Sequence, residues 1–408
     1  MLKKRIIYNE FSDWTFDVLK AKGSFIWNKK GNKLIDFTSG WNVTNLGWNN
    51  PEISNAVIKQ AKKSTYAPMW TADEVQNRFA KALTDSLPKS LVAVGRATGG
   101  TEANEEAIKT ARAYTGRKKI IGFKDTYHGQ SFGTMSLGHL PDYVKDISPM
   151  VGGYMQMDFP KVRDNEKPGV TLNKFAKKLE KILAKKDVAA IVTEANIITG
   201  WGTTFVAPRG YISLVRRLTK KYGTLLILDE VGTGFSRCGK LYGMEIEKVT
   251  PDIATFAKGL SNGVAAIGAM VTTKKIADKT YDKSNLTSTF GWTPIACAAA
   301  LKTLQIHKRE KMWKKAKRDG EYLMSVLRKK LGKYKNITDV RGIGMEIGLE
   351  FSEGSLVDMV VKGARQKGLL LVKGEERNIQ IMPPLTIQRK ELDRGLDILI
   401  DVINSKAR

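Results

Sequence analysis

The sequence predicts an α/β fold: an open sheet with buried parallel strands, helices between them, and a second domain. Three observations lead to this. Leu225–Leu228 is a charge-free run of leucine and isoleucine that stops at Asp229 and Glu230, as a strand buried on both faces does. Asp252–Ala257, without charge after its first residue, is a second short run and stops at Lys258 and Gly259. At 408 residues the chain is too long for one comfortable core, so it divides in two. The two runs put a carboxylate at the tip of one strand and an amine at the tip of the next. Ligands of open α/β sheets sit at that carboxyl edge.

Taken in order, Gly23–Phe37 alternates loosely, and Lys30, Gly31 and Asn32 separate its two apolar halves, so a β-hairpin is expected. Pro51 and Glu52 open a helix with Ile53, Val57 and Ile58 on one face. Leu91–Ala97 reads as a strand. After it come Thr98, Gly99, Gly100 and Thr101, then a helix on which Ala103, Ala107, Ile108 and Ala111 recur at helical spacing. Glycines let backbone N–H groups approach an anion, and a helix N-terminus adds donors and the positive end of a dipole. Gly99, Gly100 and Thr101 are therefore a candidate phosphate cradle. Such a helix start is often only a tight cap, and it gains meaning here by preceding Asp229 and Lys258. Lys118–Phe123, Met155–Phe159, Val188–Ala195 and Ala265–Thr273 are further strands, and Ser213–Tyr222 is a basic helix. Beyond Pro294 a long helix begins, and from Ala296 helices alternate with the short strands of DVRGIGMEIGLEF and NIQIMPPLTI.

The charge is high: 68 Lys and Arg against 41 Asp and Glu, a formal +27. One reading is an anionic partner such as nucleic acid. The other is a lysine-rich solvated surface, with runs such as Lys308–Arg318 lying on amphipathic helices. No zinc knuckle or other nucleic-acid motif is present, so a nucleic-acid partner is not expected. Cys238 and Cys297 are the only cysteines, too few for a disulfide framework, which points to a reducing cytoplasm. MLKKRII runs directly into Tyr8, Asn9 and Glu10 without the apolar core of a signal peptide. Val264–Val271 and Ile295–Leu301 are too short to span a bilayer, so no membrane partner is expected.

A strand-tip lysine can form a Schiff base with an aldehyde, and a neighbouring aspartate can pair with a pyridinium nitrogen; together they are the protein's half of pyridoxal-phosphate chemistry. LLILDEVGTGF followed by TFAKGLSNG resembles the class III pyridoxal-phosphate aminotransferases, among them the acetylornithine, ornithine and 4-aminobutyrate enzymes. The likeness runs from about Gly23 to about Leu385. It implies a fold-type I transferase. Residues 48–295 would form a large domain around a mostly parallel seven-stranded sheet, and 1–47 with 296–408 a smaller α+β domain. It implies pyridoxal 5'-phosphate as cofactor, held by Lys258, with Asp229 at the ring nitrogen. Tyr127 and Val231 would flank the ring, Gly99, Gly100 and Thr101 would take the phosphate, and Glu194 and His128 would lie beside it. For His128 a structural hydrogen-bonding role is an equal reading. Thr289 matches a threonine that reaches the phosphate of the neighbouring subunit, which would make the protein a homodimer. The loop after the hairpin would line the substrate entrance, making Trp41, Trp48 and Trp70 candidates for its wall.

Several positions depart from the family pattern. Gly99 stands where a serine is usual, and Ala195 where a proline follows the glutamate. Trp292 and Thr293 replace a Gly-Asn pair before Pro294. Gln130 and Gln380 occupy positions where amino-acid-specific members carry arginines, and Thr199 one where ornithine-type members carry glutamate. Glutamine cannot reproduce the bidentate arginine fork on a carboxylate. The expectation is therefore an aminotransferase that is not a plain acetylornithine or ornithine enzyme. Its pocket, walled by Trp41, Trp201 and Trp292, would favour a less conventional amine or ω-amino donor, with a 2-oxo acid as acceptor. Two alternatives stay open: an aminomutase of the glutamate-1-semialdehyde kind or a racemase on the same fold, and a basic binding module without catalysis.

Overall fold

The computed structural model describes residues 17–138, 141–161, 167–374 and 377–406. The Met1–Glu10 stretch read above lies outside them. The expected hairpin is present: β1 (Phe25–Asn28) pairs antiparallel with β2 (Lys33–Asp36). Helix α1 (Pro51–Ala61) starts with proline in its first turn and is capped by Asn50, whose side chain accepts from the Glu52 N–H. Ile53 is buried, but Ile58 is 54% exposed. Five residues on from Ile53, it has rotated out of the stripe that meets the protein, and Gln60 takes the inner position.

The main sheet is built from β3 (Leu91–Ala97), β4 (Lys119–Phe123), β5 (Tyr154–Met157), β6 (Val188–Glu194), β7 (Leu225–Asp229), β8 (Ile253–Phe256) and β9 (Gly268–Thr273). Its seven strands lie in the order β3-β9-β8-β7-β6-β4-β5. All neighbours are parallel except at β9, which runs antiparallel to both β8 and β3. The charge-free sequence of β7 has a direct cause. Leu226 and Leu228 pack into a core with Phe79, Phe123 and Phe256 on one face. Leu225 and Ile227 pack with Ile108, Ala111 and Met270 on the other. Both faces are covered, so neither tolerates a charge. Helix α2 (Gly100–Thr115) covers the second face through Ala107, Ile108 and Ala111. The basic helix α3 (Tyr211–Tyr222) covers the first through Ile212, Val215 and Leu218.

Helix α4 (Pro294–Arg309) leads into α5 (Met312–Leu331). The run Lys308–Arg318 is therefore not one helix. His307, Lys308 and Arg309 close α4, where positive charge suits the C-terminal dipole, and Lys311, at φ 48°, turns the chain before α5. Strands β10 (Ile337–Ile343), β11 (Glu346–Phe351) and β12 (Asn378–Ile381) then pair antiparallel in a second sheet. They enclose a separate core with Leu323, Val361, Leu396 and Leu399. Among the described residues no helix is long and apolar enough to cross a membrane.

Candidate active site

β7 ends at Asp229, which lies in register with Glu194 at the end of β6 and Thr255 on β8. Two residues past β8 comes Lys258, half-buried and with φ 44°. A side-chain-bearing residue in the left-handed region costs roughly 1–2 kcal/mol, which the surrounding packing must offset. A cavity of about 390 Å³ opens over these strand ends. Its wall contains Gly99, Gly100, Thr101, Tyr127, His128, Glu194, Asp229, Val231 and Lys258. Asn104, Thr199 and Val43 line it too.

The Asp229 carboxylate is held from three sides. Oδ2 accepts from Asn104 Nδ2 at 2.8 Å and lies 2.7 Å from His128 Nδ1. Oδ1 accepts from the Val231 N–H at 2.9 Å. Asn104 in turn donates to His128 O and accepts from Thr255 Oγ1. One carboxylate is thus locked in place on the floor of the cavity by charge-assisted and neutral hydrogen bonds. Glu194 accepts from the Thr199 N–H and hydroxyl and from the Gly200 N–H. Burial, followed by the neighbouring Asp229 charge, pushes its carboxyl up to about 7; His128 and the Thr199 donors oppose the rise.

At the other end of the cavity, α2 begins at Gly99 with no side-chain cap, so its first N–H groups face the cavity without an internal acceptor. Gly268 makes the approach between strand and cradle: a Cβ there would lie 2.3 Å from Gly99 O. Thr98 is tied through its N–H and hydroxyl to Glu102 Oε2, both at 2.6 Å.

These groups fit pyridoxal phosphate. Asp229 Oδ1 carries a single donor, leaving room for a ring N–H. Tyr127 and Val231 are cavity-wall residues of the right kind to sandwich an aromatic ring. The uncapped start of α2 suits a phosphate. His128 Nε2 is buried and has no hydrogen-bond partner among the described residues, as expected beside a site built for a ligand. No Cβ clash bars a side chain at position 99, so the missing serine is a change of chemistry and not of space.

The other candidates lie off this wall. Gln130 is exposed, and its N–H donates to Thr101 Oγ1. Trp201, with φ 52°, packs edge-on to Tyr127 and stacks on Tyr143 at 4.9 Å. Thr289 is exposed on the loop before α4. Trp41 Nε1 donates to Gln380 Oε1, and Gln380 is fully buried. Trp48 is bound to Asp36, and Trp70 is 87% exposed. Trp292 is not a pocket wall. It is 2% exposed, packs 4.5 Å from the Phe79 ring and donates to Gly268 O, so it belongs to the core. Asn104, which holds Asp229 Oδ2 together with His128, is not singled out by the sequence. Its signal was its place in TEAN one helical turn after Gly100, on the face turned to the sheet.

Comparison with known proteins agrees with this geometry. The model of the class-III aminotransferase family matches residues 7–403. The chain is 31% identical to an acetylornithine aminotransferase of Methanothermobacter thermautotrophicus, covering 99% of this chain and 97% of that one. It is 33% identical to a 5-aminovalerate aminotransferase of Pseudomonas aeruginosa, covering 95% and 93%. Among solved structures, an (S)-enantioselective omega-transaminase from Thermomicrobium roseum superposes with a TM-score of 0.93 at 27% identity, covering 99% and 96%. With acid, amine and an uncapped helix start around one cavity, the chain belongs to the class-III aminotransferases, pyridoxal-phosphate-dependent enzymes that transfer an amino group to a 2-oxo acid.

Proposed function

We propose that Lys258 and Asp229 carry the chemistry of this aminotransferase, and that its donor is an amine or ω-amino compound. The observation that supports this most is the opening of Asp229, Lys258 and the uncapped start of α2 into one cavity. Bound pyridoxal phosphate supplies an electron sink for the carbon that loses a proton. Lys258 Nζ would anchor the cofactor at rest and, once free, would accept the proton that the amine-bearing carbon gives up. Asp229 keeps the ring nitrogen protonated, and His128 and Asn104 hold Asp229 for that task. Tyr127 and Val231 keep water from the ring faces. Gly99, Gly100 and Thr101 bind the phosphate. The experiment is a donor screen: holoenzyme is mixed with a panel of amines and amino acids, and the loss of aldehyde-cofactor absorbance is followed. Rapid loss with non-α-amines supports the reading. Turnover of acetylornithine and 2-oxoglutarate at the rate of a dedicated enzyme overturns the donor class.

The enzyme works as a homodimer in this reading, with Thr289 contributed to the partner's phosphate site. The exposed apolar side chains Tyr66, Met69, Trp70 and Phe290 support it, since Tyr66 and Phe290 touch at 6.0 Å and Trp70 is almost bare. Thr289→Ala is expected to weaken cofactor binding about tenfold, the size of one hydrogen bond to a charged group. In mixed dimers, the Lys258→Ala chain donates its own Thr289 to the Thr289→Ala chain and restores a tight site there. Fluorescence titration that finds no tight class of sites in the mixture overturns the shared site. The two separate cores support a division into two domains; the limits near residues 47 and 295 are crossed by Ile53, which packs in the smaller core, and by Ala296, Leu301 and Leu304, which pack in the larger. Two free, buried cysteines fit a reducing cytoplasm.

A further inference from the structure

A carboxylate that the reaction does not use is buried behind this cavity. Glu346 opens β11 and is fully buried. Its Oε2 accepts from Asn42 Nδ2 at 2.8 Å, and its Oε1 from Gln380 Nε2 at 2.5 Å. The orientation of Gln380 is forced by a neighbour that can only donate: Trp41 Nε1 lies 2.9 Å from Gln380 Oε1. The amide nitrogen must then point the other way, where it meets Thr199 O at 3.1 Å and Glu346. Both N–H bonds of Gln380 are taken by acceptors, and none is left for a ligand.

The network reaches the cavity directly. Val43, next to Asn42, and Thr199 are both on its wall. Among the described residues no lysine or arginine is in ion-pair contact with Glu346. Arg237, the cation that most opposes the burial of Glu346, directs its two terminal nitrogens to Met345 O, Pro383 O, Ser39 Oγ and Asn45 Oδ1, and its buried Nε has no hydrogen-bond partner among the described residues. Burial pushes the Glu346 carboxyl up, while Arg237, the two amides and the Lys258 ammonium oppose the rise. Two N–H donors aimed at two separate oxygens are the pattern of an ionised carboxylate.

We propose that Glu346 is a specificity-determining residue: it turns Gln380 away from the substrate and sets a carboxylate behind the Val43–Thr199 side of the pocket, so that the preferred donor is a terminal diamine and not an ω-amino acid. This rests on the aminotransfer reading above. A second ammonium is attracted to that side, whereas a carboxylate meets a like charge and no free donor.

The test compares two donors of equal length, 1,4-diaminobutane and 4-aminobutyrate, mixed with holoenzyme without acceptor while the cofactor absorbance is followed. The expected result is a preference for the diamine of about tenfold or more, the scale of a like-charge penalty at a desolvated contact. Glu346→Gln removes most of this preference, and Glu346→Met, apolar and of similar length, does the same without adding a donor. Gln380→Arg alone leaves 4-aminobutyrate a poor donor, because the guanidinium pairs with Glu346. Gln380→Arg combined with Glu346→Gln reverses the preference. Calorimetric binding of pentanoate, which cannot react, is expected to tighten about tenfold in the double variant only. A wild-type preference for 4-aminobutyrate overturns the proposal. So does retention of the diamine preference in both Glu346 variants with their cofactor spectra intact. If no donor changes the absorbance, the aminotransfer reading falls, and the pentanoate order alone decides the role of Glu346.

Discussion

Lys258→Ala is expected to lower kcat/KM by at least about 10⁴-fold, because it removes both the covalent anchor and the base, and a positioned base alone is worth up to that factor. The geometry supports so large an effect. Lys258 sits just past the end of β8, in a left-handed conformation that orients its side chain from a short, fixed turn. It is the lysine on the cavity wall, and Asp229 lies one strand away. The measurement is single-turnover reaction with a good donor, paired with borohydride treatment of the holoenzyme and mass spectrometry. Wild type is expected to carry the cofactor on the peptide containing Lys258, and the variant to carry none. Added methylamine should restore part of the variant's rate, since a small free amine can enter the vacated space and take the proton. A variant within tenfold of wild type, or a label on another lysine, would remove Lys258 from its role.

Much of this fold is legible in the sequence for one reason: a strand covered on both faces cannot carry charge. Leu225–Leu228 and Ile253–Phe256 therefore end visibly, and the residues that end them are those at the carboxyl edge. The same logic fails where periodicity is preserved across a break. Met312 and Ala316 continue the apolar stripe beyond α4, so the sequence around Lys308–Arg318 looks like one helix although Lys311 turns the chain. Tryptophan is ambiguous in a different way. Trp41, Trp201 and Trp292 are alike in sequence, and only Phe79, distant in the chain, makes Trp292 a core residue. Glu346 is the hardest case. It opens an apolar strand, and its partners Asn42 and Gln380 come from segments hundreds of residues apart or on a neighbouring strand. No local pattern encodes such a meeting. Asn104 lies between these extremes, visible in its motif but meaningful only once β7 brings Asp229 beneath it.

Asp229→Asn is expected to lower the rate by about 10³-fold while weakening cofactor binding far less. A charge pair in contact at the edge of a protein interior is worth roughly 4 kcal/mol, which is about 10³ in rate. Asparagine keeps the shape and removes that charge, so the ring nitrogen loses its proton and the electron sink weakens. The phosphate end is not touched directly, because Gly99, Gly100 and Thr101 stand at the start of α2 and make none of the hydrogen bonds to Asp229. The substitution has a second consequence in the floor of the cavity. Asn104 Nδ2 and His128 Nδ1 both face Asp229 Oδ2, and an amide NH₂ placed there would oppose two donors. The asparagine must present its oxygen to them, which turns its NH₂ towards the Val231 N–H and the ring nitrogen. Either orientation leaves a buried donor unmet, at a cost of about 1–3 kcal/mol. The rate and the cofactor affinity are read separately, by single-turnover kinetics and by titration of the apoenzyme. A rate within tenfold of wild type would mean that no protonated ring nitrogen is needed. A loss confined to affinity would make Asp229 a structural support of the cavity floor and leave the electron sink to the cofactor alone.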